Sequence, residues 1–263
     1  MRLPRLSRFG RDWNSLGRRN PYGAILTGDA GALAVWDGEA FFATGRADVA
    51  RFVGDLTRIA PHVKRGRALD FGCGVGRITR SLGTEFDAVV GVDVAPTMIE
   101  RARIVNAGVS RCQFVLNREP HLAGLASGSF DVVYSRLVLQ HIPMSLVRGY
   151  LPELIRVLAP DGVLMFQLPE SIEPPLKRFL DAPVVGGTLK HRVPLPLTRA
   201  YRRLKYLYLI ITSGPRMKMS GLPFEEVARL IARSGGHLLA AVPDESHGIP
   251  AVRGFEYWVT KPR

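Results

Sequence analysis

Apolar residues recur along this chain with two periods, and the two alternate. From Asp48 to Ile59 the positions Val49, Phe52, Val53, Leu56 and Ile59 are three or four apart, which marks one face of a helix. Short apolar runs follow. Arg67–Phe71, Ala88–Val92, Gln113–Leu116, Ser129–Ser135 and Val163–Leu168 are each bounded by polar or glycine-bearing stretches and read as five buried strands. Helical patterns beginning at Arg77, at Pro96 and across Leu146–Leu158 separate most of them. Alternation of this kind predicts a parallel sheet wound with helices on both faces. Toward the C-terminus, Glu225–Arg233 reads as an amphipathic helix, and Leu238–Val242 and Phe255–Thr260 as a sixth and a seventh strand.

Composition narrows the class. A chain of 263 residues with 46% hydrophobic and 22% charged content has enough apolar material for one large α/β domain with an added cover. No apolar run approaches the length of a membrane span. Cys73 and Cys112 lack metal or redox spacing, which suits a reducing compartment and a cytoplasmic protein. Residues 1–20 are basic but have no apolar core before Pro21, so neither a secretory nor a twin-arginine signal is expected.

The net charge of +13 is concentrated in two places. Residues 1–20 carry +5, and residues 171–220 carry +8, which accounts for the whole excess. A basic arm and a basic insertion on a neutral core point to an acidic partner: a membrane surface, a phosphorylated substrate or nucleic acid. Arginine-rich genome composition explains the same numbers equally well. Within the insertion, Thr198–Thr212 reads as a helix with Tyr201, Leu204, Leu207, Tyr208 and Ile211 on one arc and basic residues on the other. That pattern serves an interfacial helix on anionic lipid or a lid helix with a solvated basic face.

The chemistry gathers after the first strand, at Asp70-Phe71-Gly72-Cys73-Gly74-Val75-Gly76. Glycines allow a tight strand-to-helix turn and let a ligand lie against the backbone. A dinucleotide fingerprint spaces its glycines as G-x-G-x-x-G; here Gly72, Gly74 and Gly76 alternate strictly. This resembles motif I of the class I S-adenosylmethionine-dependent methyltransferases, small-molecule subgroup. The likeness is continuous from Arg67 to Leu168: Asp93 ends the second strand, Ser129-Phe130-Asp131 opens the fourth, an apolar segment runs to His141, and Glu153–Leu164 leads into the fifth.

The resemblance implies a Rossmann-like seven-stranded, mostly parallel sheet with an antiparallel last strand, helices on both faces, and a basic lid insertion after strand five. Residues 1–60 would form a basic N-terminal arm and covering helix, and 61–263 the methyltransferase domain, with 170–220 as a lid or membrane-contact segment. The implied cofactor is S-adenosyl-L-methionine. The implied donor site comprises Asp70, Gly72, Cys73, Gly74, Gly76, Asp93, Val94, Met98, Asn117 and Ser135. Asp93 stands at the ribose position, where a carboxylate accepts bonds from both hydroxyls. Met98 serves either the adenine face or the core, and Asn117 departs from the commoner Gly-Asp form at the adenine contact.

A sulfonium methyl is already activated, so the protein mainly aligns the two reactants, and a base is needed only for a hydroxyl of high pKa. His141 is the candidate general base; orienting its loop through a backbone bond is the equal alternative. His191 is a distant second base. The segment Glu173-Pro174-Pro175-Leu176 is similar to the Pro-Pro-aromatic motif of amino methyltransferases, but it follows strand five and lacks the aromatic, which disfavours nucleic-acid bases. The expectation is O-methylation of a small-molecule or lipid-linked acceptor with peripheral membrane contact. A donor-binding regulator without turnover and an RNA-modifying enzyme are the alternatives.

Overall fold

A computed structural model describes residues 6–26, 36–173, 219–244 and 252–263. The insertion helix over Thr198–Thr212, His191 and most of the basic insertion lie outside the described residues. Seven strands form a single sheet: β1 (Arg67–Phe71), β2 (Ala88–Asp93), β3 (Cys112–Leu116), β4 (Phe130–Ser135), β5 (Leu158–Ile172), β6 (His237–Pro243) and β7 (Val252–Thr260). Their spatial order is β3-β2-β1-β4-β5-β7-β6. The first five strands pair in parallel, and β7 inserts antiparallel between β5 and β6. The order reverses between β1 and β4, and a ligand crevice is expected where an open α/β sheet changes winding direction.

The helices are α1 (Leu6–Arg19), α2 (Pro21–Ile25), α3 (Gly38–Ile59), α4 (Arg77–Leu82), α5 (Pro96–Val105), α6 (Met144–Val157) and α7 (Phe224–Arg233). Alternation along β5 divides the core into two layers. Leu164, Phe166 and Leu168 pack with Leu151, Leu154 and Ile155 of α6 and with Val227 and Ile231 of α7. Val163 and Met165 face the other way, onto Phe52 and Leu56 of α3 and Leu82 of α4. Phe52 is fully buried, stacked on Trp258 at 5.5 Å and edge-on to Tyr134 at 5.0 Å. Burying such a ring stabilises the fold by roughly 1.5–3 kcal/mol.

Two elements exceed what the apolar pattern predicts. The α3 helix begins at Gly38, ten residues before Asp48, where the Asp37 side chain accepts from the backbone N–H of Ala40. The basic arm contains α1, which is held by Trp13 and Leu16 packed on an apolar cluster and by small and polar residues beside them. Gly10, Trp13, Asn14 and Gly17 face the domain while Arg11, Arg18 and Arg19 stay exposed. Among the described residues no helix is long and apolar enough to cross a membrane.

Candidate active site

The first strand delivers the chain into a turn with three glycines at positive φ: Gly72 at 82°, Gly74 at 54° and Gly76 at 86°. A side chain at Gly72 would collide with Val138, and one at Gly76 would lie 2.7 Å from the Phe114 ring. The turn is tied to the neighbouring strand, since Gly72 and Cys73 both donate their backbone N–H to the Val92 carbonyl, at 2.8 and 3.0 Å. Asp93 completes the tie. One carboxylate oxygen accepts from Gly74 N–H at 2.9 Å and the other from Ala95 N–H at 2.8 Å. Burial raises its pKa above the ordinary value even though backbone N–H groups of Ala95, Gly74 and Val94 favour the charged form. Each carboxylate oxygen has two lone pairs, so the half-buried Asp93 keeps acceptor capacity for hydroxyl groups beyond these bonds.

The other donor-site residues fall into distinct places. Asp70 is buried beneath the loop and accepts from the Thr79 hydroxyl at 2.6 Å, anchoring α4. Removal from water pushes its carboxyl up to about 6, more than the Thr79 hydrogen bond and the nearby Arg77 lower it. Cys73 is buried, and burial pushes its thiol up, so it offers packing and no thiolate. Ser135 donates to the Phe71 carbonyl at 3.1 Å and ties the tip of β4 to the tip of β1. Asn117 donates its backbone N–H to the Asp93 carbonyl at 2.9 Å, while its side chain closes its own loop onto Glu119 and His121. Val94 lies against α1 near Gly10. Met98 is buried in a cluster that also holds Val75 of the glycine loop, with Leu16 and Trp13 of α1 packed against it.

The acceptor side is built after β4. Leu137 takes a left-handed backbone at φ 61°, unusual for a side chain of this size, and its N–H donates to the buried Gln167 of β5 at 3.0 Å. A 3-10 turn at Leu139–His141 then presents His141, half-buried, with its ring edge-on to Trp13 of α1 at 5.7 Å. Gln140 lies between Gln167 and His141, at 3.1 and 3.0 Å. Helix α1 therefore bridges the two sides. Asn14 accepts from Thr97 N–H and receives the Thr97 hydroxyl, both at 3.0 Å, three residues after Val94.

Beside the β4 tip lies an ionic cluster that the amino-acid pattern does not reveal. Arg136 bonds Asp48 at 3.0 Å and pairs with Glu256 at 3.2 Å; Arg77 pairs with Asp48 at 2.7 Å, and Arg51 grips Glu256 with both terminal nitrogens. Arg136 and Glu256 are nearly inaccessible, so these pairs fix the β4 tip against α3 and β7. Among the described residues no group of His, Cys, Asp and Glu could hold a metal ion.

Residues 69–166 match the family model described as Methyltransferase domain, and this span carries the glycine loop, Asp93, Ser135 and His141. Over that span the chain is similar to the class I S-adenosylmethionine-dependent methyltransferases. Trans-aconitate 2-methyltransferase from Methylobacterium radiotolerans is 35% identical over 122 residues, covering 46% of this chain and 44% of that protein. The enzyme of the same name from Methylobacterium nodulans is 33% identical over 155 residues, covering 56% and 55%. The chain thus spans about half the length of these relatives. Magnesium protoporphyrin IX methyltransferase from Synechocystis, solved with bound S-adenosylhomocysteine, has a TM-score of 0.58 at 15% identity and covers 97% of this chain and 99% of that one. A SAM-dependent methyltransferase from Leishmania major gives 0.57 at 14%, covering 94% and 82%. These two likenesses are likenesses of fold.

The likeness over residues 69–166 implies S-adenosylmethionine as the donor. The residues present fit that group at the carboxylate: half-buried Asp93 ends β2 beside the glycine turn and keeps acceptor capacity for a diol.

Proposed function

We propose that this chain transfers the methyl group of S-adenosylmethionine to an oxygen of a small-molecule acid. The observation that carries the reading is the joining of the glycine loop, the Asp93 carboxylate and the β4 tip within one hydrogen-bonded unit where the sheet reverses order. In this reading the donor sits beside the glycine turn, Asp93 accepts from its ribose hydroxyls, and Asn117 flanks the adenine side. Ile25, which comes within 2.6 Å of where a Gly74 side chain would begin, and Val138 form apolar walls that exclude water. His141 belongs to the acceptor side. Bound S-adenosylmethionine supplies a methyl on a sulfonium: an acceptor oxygen lone pair forms the C–O bond as the C–S bond breaks and its electrons stay on sulfur. The names of the Methylobacterium relatives support a carboxylate as acceptor.

Calorimetric titration with S-adenosylmethionine, S-adenosylhomocysteine and NAD tests the donor. Micromolar binding of the two sulfur nucleosides and none of NAD is expected, with at least tenfold loss in Asp93→Ala. No binding of either sulfur nucleoside defeats the reading. Trans-aconitate is the first acceptor to offer, with ester formation followed by mass spectrometry.

A lipid-linked acceptor is the second reading, favoured by the exposed Arg11, Arg18 and Arg19 on the outer face of α1. Cosedimentation with anionic vesicles, weakening as salt rises, supports it, and equal partition onto neutral vesicles rejects it.

A further inference from the structure

The polarity of the hydrogen bonds behind His141 can be read from one fixed point. The backbone N–H of Leu137 can only donate, so the Gln167 atom 3.0 Å from it is the carbonyl oxygen. Gln167 therefore turns its amide nitrogen toward Gln140, at 3.1 Å, and Gln140 must meet it with an oxygen. That leaves the Gln140 amide nitrogen facing His141 Nε2 at 3.0 Å. An amide nitrogen has no lone pair to offer, so Nε2 accepts, and the neutral ring carries its proton on Nδ1.

Burial enforces the sequence of donors. Gln167 is 0% exposed and Gln140 is 3% exposed, so water cannot repair a reversed member. Reversal of any one side chain sets two N–H groups or two oxygens against each other, a mismatch that biases the tautomers by roughly tenfold or more. Side-chain amides are often ambiguous in orientation; here the backbone N–H removes the ambiguity for both.

We infer that Gln167 and Gln140 are positioning residues that hold His141 as the Nδ1–H tautomer, and that this site accordingly takes an acceptor already ionised, a carboxylate, in preference to a neutral hydroxyl. With Nε2 engaged and Nδ1 protonated, the ring has no lone pair with which to remove a hydroxyl proton while the relay is intact. A carboxylate needs no such removal: its oxygen forms the bond to the methyl carbon, the C–S electron pair leaves with sulfur, and no proton moves. His141 acts as a hydrogen-bond donor and the general-base role falls away. The acceptor half of this inference rests on the methyl-transfer reading above, and the tautomer half does not.

The test is nitrogen NMR of the protein labelled with ¹⁵N-histidine, free of donor and acceptor, with His141 identified among the six histidines by its absence in His141→Gln. At a pH where the ring is neutral, Nδ1 is expected to read as protonated and Nε2 as an unprotonated acceptor. In Gln140→Leu both ring nitrogens should move toward the averaged signals of exchanging tautomers, and Gln167→Leu should act the same way if the first variant fails to fold. A wild-type ring protonated at Nε2, or a folded variant whose ring signals stay unchanged, overturns the relay. Initial rates with trans-aconitate and with a non-ionised alcohol of similar size then test the acceptor: an alcohol methylated as fast as the acid overturns that half. Failure of the sulfur nucleosides to bind defeats methyl transfer while leaving the tautomer result in place.

Discussion

Replacing Asp70 by asparagine isolates the energy of holding a carboxylate beneath the glycine loop. Folding takes this carboxyl from its ordinary 3.8 to about 6, because desolvation outweighs the bonds from Thr79 and the field of Arg77. The folded chain therefore holds this proton more tightly than the unfolded chain does, and Asp70 contributes stability that is full below about pH 4 and is lost as the pH rises through about 6. The difference between those two values corresponds to about 3 kcal/mol. Urea unfolding followed by tryptophan fluorescence, at about pH 4 and about pH 8, reads it directly. The asparagine side chain also alters the bond with Thr79, but that offset is present at both pH values and cancels in the difference. The expected result is that the fall in stability between the two is smaller by about 3 kcal/mol in Asp70→Asn than in wild type. Parallel curves for the two proteins, or a wild-type curve that rises relative to the variant, would refute the reasoning.

Other substitutions probe how the site is framed. Glu256→Ala leaves the buried Arg136 guanidinium with one carboxylate partner instead of two and removes both bonds from Arg51; a loss of about 3 kcal/mol in denaturant unfolding is expected, and a change below about 1 kcal/mol would show that the cluster is dispensable. Gly17→Val places a Cβ 2.6 Å from the Thr97 hydroxyl. It should detach α1, so that Trp13 fluorescence shifts to the red and the His141 ring signals change, while far-ultraviolet circular dichroism retains the sheet. Retention of both signals would mean that α1 is held by other contacts.

The strands were legible because each is a run of apolar residues bounded by polar or glycine punctuation, and β7 could be assigned beside β5 through the family likeness. Extension of β5 to Leu158 and Ile172 was not, since Pro160-Asp161-Gly162 reads locally as a turn and only pairing with β4 and β7 carries the strand past it. Helix α1 escaped notice because basic residues dominate its segment: Trp13 and Leu16 mark its packed face, but beside them stand Gly10, Asn14 and Gly17, which allow close approach and hydrogen bonding without adding to an apolar pattern. Asp93 was visible as a charge at the end of an apolar run. Gln140 and Gln167 were not, because two amides 27 residues apart carry no periodic signal, and what makes them matter is an N–H from a left-handed Leu137 that only the folded backbone supplies.

The insertion of β7 between β5 and β6 also governs how the chain can be made. Residues 252–260 supply Trp258 to the stack on Phe52, Tyr257 to the stack on Phe166, and Glu256 to the pairs with Arg51 and Arg136. Until these residues leave the ribosome, β5 has an open edge, and Phe52 and Phe166 lack their ring partners. A nascent chain ending before residue 252 is therefore a sticky intermediate with an exposed strand edge.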